Sequence, residues 1–328
     1  MHAIRQHEFG PAKVLRHEEV PDPHPGAGQV RIAVAAAGVH VIDTTIRQGL
    51  VGGPLPLPEL PMTPGREVAG VVDEIGDGVA AEWLGRPVVA HLGQASGGYA
   101  EYAVREVEAV QVLPEGTDPL AAVAMIGTGR TTMSILRTAR PSADDVVLVT
   151  SAAGGIGALA VQHARNVGAT VVGAAGGPTK VDIVRELGAD LAVDYTEAGW
   201  ADRVREELDR PVSLVLDGAG GASGRAAFDL LGAGGRIVMY GRELGEHGFT
   251  SDDLLARALS ATVALGPNLL KVPGGMRALE DEALAALADG SLEPLVGPPF
   301  PLSQAAAAHE ALENRQTYGK VVLVPERR

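Results

Sequence analysis

The chain has 328 residues, no cysteine, and 41 acidic against 27 basic side chains, for a formal charge of −14. The missing cysteine excludes disulfides, thiolate catalysis and cysteine-ligated zinc, and the nine histidines show no HExxH or comparable spacing, so no metal site is expected. The acidity, unbroken by any basic run, argues against nucleic acid and anionic membranes as partners, and with no apolar run of transmembrane length the expectation is a soluble, cytoplasmic protein.

Residues 1–120 carry short β-like runs at 29–36, 67–75, 87–91 and 99–104 between glycine and proline punctuation, the pattern of an irregular β-rich domain. The segment 49–64, with Pro54, Pro56, Pro58, Pro61 and Pro64, is too proline-dense for a helix or a central strand. From Asp118 the pattern turns helical, at 120–126 and 131–138. The stretch 146–157 then reads Val-Val-Leu-Val-Thr-Ser-Ala-Ala-Gly-Gly-Ile-Gly: a buried parallel strand, a tight turn and the start of a helix over 158–165. Ala152, Gly154 and Gly157 have the spacing of the dinucleotide fingerprint, with alanine in place of the first glycine. Such a turn aims backbone N–H groups and the positive end of a helix dipole at one spot, where a pyrophosphate fits. A glycine-rich turn alone is a weak signal, but apolar runs at 170–175, 191–193, 214–216, 236–240 and 261–266 repeat at βαβ spacing, so an α/β domain with a doubly wound parallel sheet is expected.

The end of the second of these strands bears on the cofactor. An acid there would bind the ribose hydroxyls of NAD and repel a 2′-phosphate. The chain reads Gly176-Gly177-Pro178-Thr179-Lys180, with no acid until Asp182, and Lys180 is one of only four lysines. A surface lysine at a helix start is the plain alternative, but the missing acid tips the choice to NADP(H). Further on, 276–288 reads as an amphipathic helix. The tail returns to the first composition, with 298–302, a helix over 303–314 that Ser303 can cap, and a last strand over 320–324. The expected boundaries are 1–118, 119–293 and 294–328, the last returning to the composition of the first. The apolar run 260–266 would be a sheet edge open to a second subunit, so a homodimer is expected.

Several stretches resemble the medium-chain dehydrogenase/reductase superfamily, in its zinc-independent, zeta-crystallin-like quinone oxidoreductase branch. They are Ala36-Ala37-Gly38-Val39-His40-Val41-Ile42-Asp43 with Ile46-Arg47-Gln48-Gly49, Pro64-Gly65-Arg66-Glu67-Val68-Ala69-Gly70, Ala153-Gly154-Gly155-Ile156-Gly157, Leu187-Gly188-Ala189-Asp190, Ala308-His309 and Gly319-Lys320. The resemblance spans nearly the whole chain in order. It implies a Rossmann domain inserted in a β-rich GroES-like domain, and NADPH as cofactor. It further implies the backbone of Gly154, Gly155, Ile156 and Gly157 at the pyrophosphate, Lys180 at the 2′-phosphate with Tyr195 packed near it, Thr128 near the nicotinamide end, and Gly241 where a loop approaches the cofactor. Zinc-dependent cousins carry cysteine near Gly38 and Gly-His-Glu where this chain has Gly65-Arg66-Glu67.

The function expected is direct hydride transfer from NADPH to a quinone or an α,β-unsaturated carbonyl, a small-molecule substrate. An enoyl-thioester or tailoring reductase is the nearest alternative, and a non-catalytic NADPH-binding protein is the reading from another class. Where the family has asparagine and two tyrosines, this chain has His40, Thr45 and Val51, which leaves the proton donor open. His40 suits either a donor to the substrate oxygen or a satisfied wall residue, and Asp43 either a direct role or an orienting one. Arg47 and Arg66 read as ion-pair residues, Arg66 with Glu67 or Asp73, and Arg130 as a place for an anionic substrate group.

Overall fold

The computed structural model describes residues 1–50, 56–93, 96–241, 248–266 and 272–326. It divides into two compact units, Met1–Gly127 with Val296–Arg328, and Thr128–Leu295. Val51 lies outside the described residues, as does 242–247.

The first unit is an antiparallel β structure. Strands β1 (His2–Gln6) and β2 (Leu15–Glu19) form a ribbon. The main sheet is built on β3 (Gln29–Val39), β4 (Glu67–Ile75), β5 (Pro87–His91), β6 (Tyr102–Glu106) and β7 (Val110–Val112). Along β3 buried and half-buried residues alternate from Gln29 to Ala35, and the last four residues are all buried. Helix α1 (Val41–Arg47) follows β3 directly, and α2 (Pro119–Ala124), capped by Asp118, packs on β3, β4 and β5. That packing places α2 in the first unit, so the division falls at Gly127 rather than at the expected 118.

The second unit opens with α3 (Arg130–Ala139) and a sheet of β8 (Val146–Thr150), β9 (Thr170–Ala175), β10 (Leu191–Asp194), β11 (Val212–Asp217), β12 (Leu231–Met239) and β13 (Ser260–Val263). All neighbours run parallel in the order β10-β9-β8-β11-β12-β13. This is the dinucleotide-binding order, with its switch point between β8 and β11. Helices α4 (Gly155–Asn166), α5 (Pro178–Glu186), α6 (Trp200–Glu207), α7 (Gly221–Asp229) and α8 (Ser251–Arg257) make the connections, and α9 (Gly275–Ala288) packs on α3. Every residue of β8 is buried, as its β-branched run requires of a central parallel strand.

The chain then returns to the first unit through β14 (Phe300–Pro301), α10 (Ala305–Glu313) and β15 (Val321–Val324), which pairs antiparallel with β3. Ser303 does not cap α10: it sits in a 3-10 turn, Leu302–Gln304, and its hydroxyl donates to Glu326 at 2.5 Å. Among the described residues no helix is long and apolar enough to cross a membrane.

Candidate functional site

In the second unit the fingerprint turn has the expected geometry. Gly154 takes the N-cap position of α4 in extended conformation, and its N–H donates to Ser151 O at 2.8 Å. The first helical N–H to find an acceptor is that of Ala158, on Gly154 O, so those of Gly155, Ile156 and Gly157 form the donor-bearing tip. Gly157 has no room for a side chain, since a Cβ there would overlap Ser151 O and lie 2.8 Å from Ala152 Cα. Ala152 N–H donates to Ala174 O at the end of β9, which ties the turn to its neighbouring strand.

Lys180 is half-buried in the first turn of α5, and Tyr195, also half-buried, follows β10 and packs its ring over Gly176. Asp194, at the end of β10, is committed to structure: it accepts Gly177 N–H at 3.0 Å and both the N–H and hydroxyl of Thr196. Gly241 lies at the end of β12, where a Cβ would approach Gly218 O to 2.5 Å, so the two backbones pack directly on each other. Buried Thr128 sits in a π-helical turn, Met125–Gly129, a distortion that often marks functional sites.

Two features here were not foreseen. At the switch point Thr150 Oγ1 donates to buried Asp217 at 2.5 Å and accepts Gly218 and Ala219 N–H, which fixes the ends of β8 and β11. Beside Gly218 the buried Tyr240 hydroxyl has no hydrogen-bond partner among the described residues. A glycine cradle, a helix N-terminus and an orphaned hydroxyl at the carboxyl end of a parallel sheet fit a bound dinucleotide. Arg130, by contrast, is buried against Glu280 at 2.9 Å in α9, which removes it as an anchor for an anionic substrate.

In the first unit His40 precedes α1, and its backbone N–H donates to Asp43 Oδ2 at 2.8 Å. That carboxylate also accepts the Tyr99 hydroxyl at 3.2 Å, and Tyr99 in turn lies 3.1 Å from His309 Nε2. Asp43 is therefore committed to the helix cap and the buried network. Burial, then Arg47, push His309 down to about 3, so its ring is neutral near pH 7. Arg47 pairs with Glu313 at 2.5 Å.

The His40 ring meets a cluster that sequence reasoning missed. Glu67, fully buried, lies with Oε2 2.8 Å from His40 Nε2 and Oε1 2.5 Å from Lys320 Nζ. Burial alone would raise the Glu67 carboxyl, but His40 and Lys320 outweigh it and hold the group well below the usual carboxylate range. The Glu67–Lys320 contact is an ion pair, and Glu67 Oε2 faces the His40 ring nitrogen. Lys320 Nζ does reach His40 Nε2 in good geometry at 3.1 Å. Arg66 takes no part in an acid pair, since its guanidinium donates to Gly93 O while Asp73 pairs with Arg31. The one available signal was composition: a scarce lysine placed directly before an apolar strand.

Residues 26–115 match the alcohol dehydrogenase GroES-like domain, and 187–323 match a family described as zinc-binding dehydrogenase. A quinone oxidoreductase from Sus scrofa is 32% identical over 99% of this chain and 98% of its own length. A 2-haloacrylate reductase from a Burkholderia species is 32% identical over 99% of both chains. The solved quinone oxidoreductase of Escherichia coli in complex with NADPH superposes with a TM-score of 0.85 at 29% identity, covering 99% of this chain and 100% of that one.

The chain belongs to the medium-chain dehydrogenase/reductase superfamily. Within that superfamily it is an oxidoreductase of the kind that works through a nicotinamide cofactor, and its two units are the GroES-like and Rossmann-like domains of the family. The donor set does not fit the zinc that one family description names. There is no cysteine, and among the described residues no group of three His, Asp or Glu side chains is placed to hold a metal ion. The space beside Gly38 is instead filled by Glu67, whose carboxylate a Cβ at Gly38 or Gly127 would overlap.

Proposed function

We propose that the protein is an NADPH-dependent, metal-free reductase that delivers hydride to a quinone or an α,β-unsaturated carbonyl compound. The observation that carries the choice of NADPH is the corner after β9, where Gly176 and Gly177 lead to Lys180 with no acid between, and Asp194 is spent on the turn itself. Gly154, Gly155, Ile156 and Gly157 hold the pyrophosphate, Tyr195 packs at the adenosine end, and Thr128 and Gly241 serve the nicotinamide end. When bound, the cofactor supplies the hydride. His40 donates to the substrate oxygen as negative charge develops on it. The names of the relatives support turnover over a purely binding role, and the reductase acting on a haloacrylate supports activated alkenes beside quinones.

The test is the loss of NADPH absorbance, against NADH, with a benzoquinone, a naphthoquinone, a 2-enal, a crotonyl thioester and 2-chloroacrylate. We expect turnover with NADPH, and a KM for NADPH at least tenfold higher in Lys180→Ala with that for NADH unchanged. Oxidation of neither cofactor by any acceptor would overturn the proposal.

The same reading includes a homodimer. Strand β13 ends the sheet order, with Val263 39% exposed, and an open parallel edge of this kind pairs with a second copy. Light scattering should give twice the chain mass at micromolar concentration, and Thr262→Pro should give the monomer. A monomeric wild type removes the dimer.

A further inference from the structure

Tyr240 is the first residue beyond β12, and its backbone N–H donates to Asp217 O at 2.9 Å, which carries the pairing of β11 and β12 one step past the strand. The side chain is buried, and its hydroxyl has no hydrogen-bond partner among the described residues. The ring is seated against Gly218 in the space a Cβ there would need, with Cε2 2.7 Å and the hydroxyl 3.2 Å from that position. Gly218 is itself held, by Thr150 Oγ1 on its N–H at 2.9 Å and by Gly241 packed on its carbonyl. The neighbouring carboxylate is already taken: Asp217 accepts the Thr150 hydroxyl and Gly220 N–H. Burial, then Asp217, push the Tyr240 phenol above its ordinary value, so it keeps its proton near neutral pH and is a donor. A buried donor without an acceptor costs free energy, and the second unit carries that cost at the carboxyl end of its sheet.

Register shows which face the hydroxyl lies on. Gly173, Val149, Leu216 and Val238 are successive partners across β9, β8, β11 and β12, and such partners point to the same side of a sheet. On that side a Cβ at Gly173 would stand 3.4 Å from Cβ of Ala152, in the fingerprint turn. Tyr240, two residues beyond Val238, returns to the same side. The strand order then gives a direction. From the turn after β8, Lys180 and Tyr195 lie one way, beyond β9 and β10, and Tyr240 lies the other way, beyond β12. A dinucleotide with its pyrophosphate on that turn and its adenosine end at Lys180 extends its other half over β11 and β12.

We propose that Tyr240 is a cofactor-binding residue, whose hydroxyl donates a hydrogen bond to an oxygen of the nicotinamide riboside half of the dinucleotide. This rests on the reading of the second unit as an NADPH site. The bond holds the half that carries the hydride and touches neither the adenine nor the 2′-phosphate. It therefore acts alike on NADPH and NADH, whereas Lys180 separates them.

Isothermal titration of the whole protein tests it. Tyr240→Phe should raise the Kd for NADPH about tenfold, and that for NADH by the same factor, as the loss of one hydrogen bond requires. The Kd for adenosine 2′,5′-bisphosphate, which has no nicotinamide riboside, should not change, whereas Lys180→Ala should weaken it. Without cofactor, Tyr240→Phe should melt no lower than wild type, since it loses no bond. With NADPH at a fixed saturating concentration, its melting temperature should rise less than that of wild type. A Kd for NADPH within about twofold of wild type, an equal loss of NADPH and bisphosphate binding, or a lower melting temperature without cofactor overturns the proposal. If wild type binds neither NADPH nor the bisphosphate, the proposed function falls together with it. If the binding pattern holds and no acceptor oxidises NADPH, the proposed function alone fails.

Discussion

Glu67→Ala should destabilise the first unit by about 3–5 kcal/mol, the usual cost of removing one partner from a buried ion pair and leaving the other uncompensated. Lys320, 4% exposed, would be left with only the His40 ring nitrogen at hand. The two tryptophans make the measurement selective. Trp83 packs against the core of the first unit and Trp200 is buried in the second, so Trp200→Phe yields a protein whose fluorescence reports the first unit alone. In that background thermal unfolding should move down by about 6–20 °C, at about 2–4 °C per kcal/mol for a unit of this size. The pH dependence has a stated sign. His309, pushed down to about 3 by burial and then by Arg47, stabilises the fold fully above its unfolded value near 6.5 and progressively less as pH falls toward 3. Glu67, depressed below its unfolded value of about 4.3, contributes above that value and is lost as pH falls through it. Wild type should thus lose stability gently below about pH 6.5 and more steeply below about 4.3, and Glu67→Ala should keep the first limb with a shallower second. A variant within 1 kcal/mol of wild type, or one with the steep limb intact, would show that the cluster does not hold the unit together.

Gly157→Ala should raise the Kd for NADPH about 100-fold, some 2.7 kcal/mol of binding free energy. The added Cβ lands on Ser151 O and against the Ala152 backbone, so the turn must open and its N–H groups turn away from the phosphates. Gly154→Ala is the graded control: its Cβ would come only to 3.1 Å from Ser151 O, a contact that a shift of a few tenths of an ångström relieves. Isothermal titration on protein shown to be folded by circular dichroism decides the matter. A Kd for Gly157→Ala within threefold of wild type would remove the turn from the cofactor site.

Much of this architecture was legible because its signals are local. The β-branched runs that became β4, β5 and β9 were bounded to the residue, and the fingerprint turn stands where its glycines placed it. Helix α1 was not foreseen because five of its seven residues are β-branched, and its start is marked by the Asp43 side chain that accepts His40 N–H. The boundary near 118 was misplaced because α2 is a helix by composition while its packing partners, β3 to β5, lie far back in the chain. The Glu67 cluster had no local signal at all. Its members come from the loop before α1, the start of β4 and the residue before β15, and only the antiparallel pairing of β15 with β3 brings Lys320 beside His40. Arg130 showed the reverse: a cation well placed in sequence, but neutralised by a helix 150 positions away.

The return of β15 to the first sheet also sets an order of events during synthesis. Residues 128–295 make a unit whose contacts all lie within one continuous stretch, and it can close while the ribosome is still working. The first unit has no such freedom. Its central strand β3 waits for β15, which is translated after the whole of the second unit, and until then Glu67 lacks the Lys320 ammonium. A carboxylate without its counter-ion resists leaving water. The nascent amino-terminal domain is thus kept wet around Glu67, and it is the arrival of Lys320 that allows that part of the interior to dry.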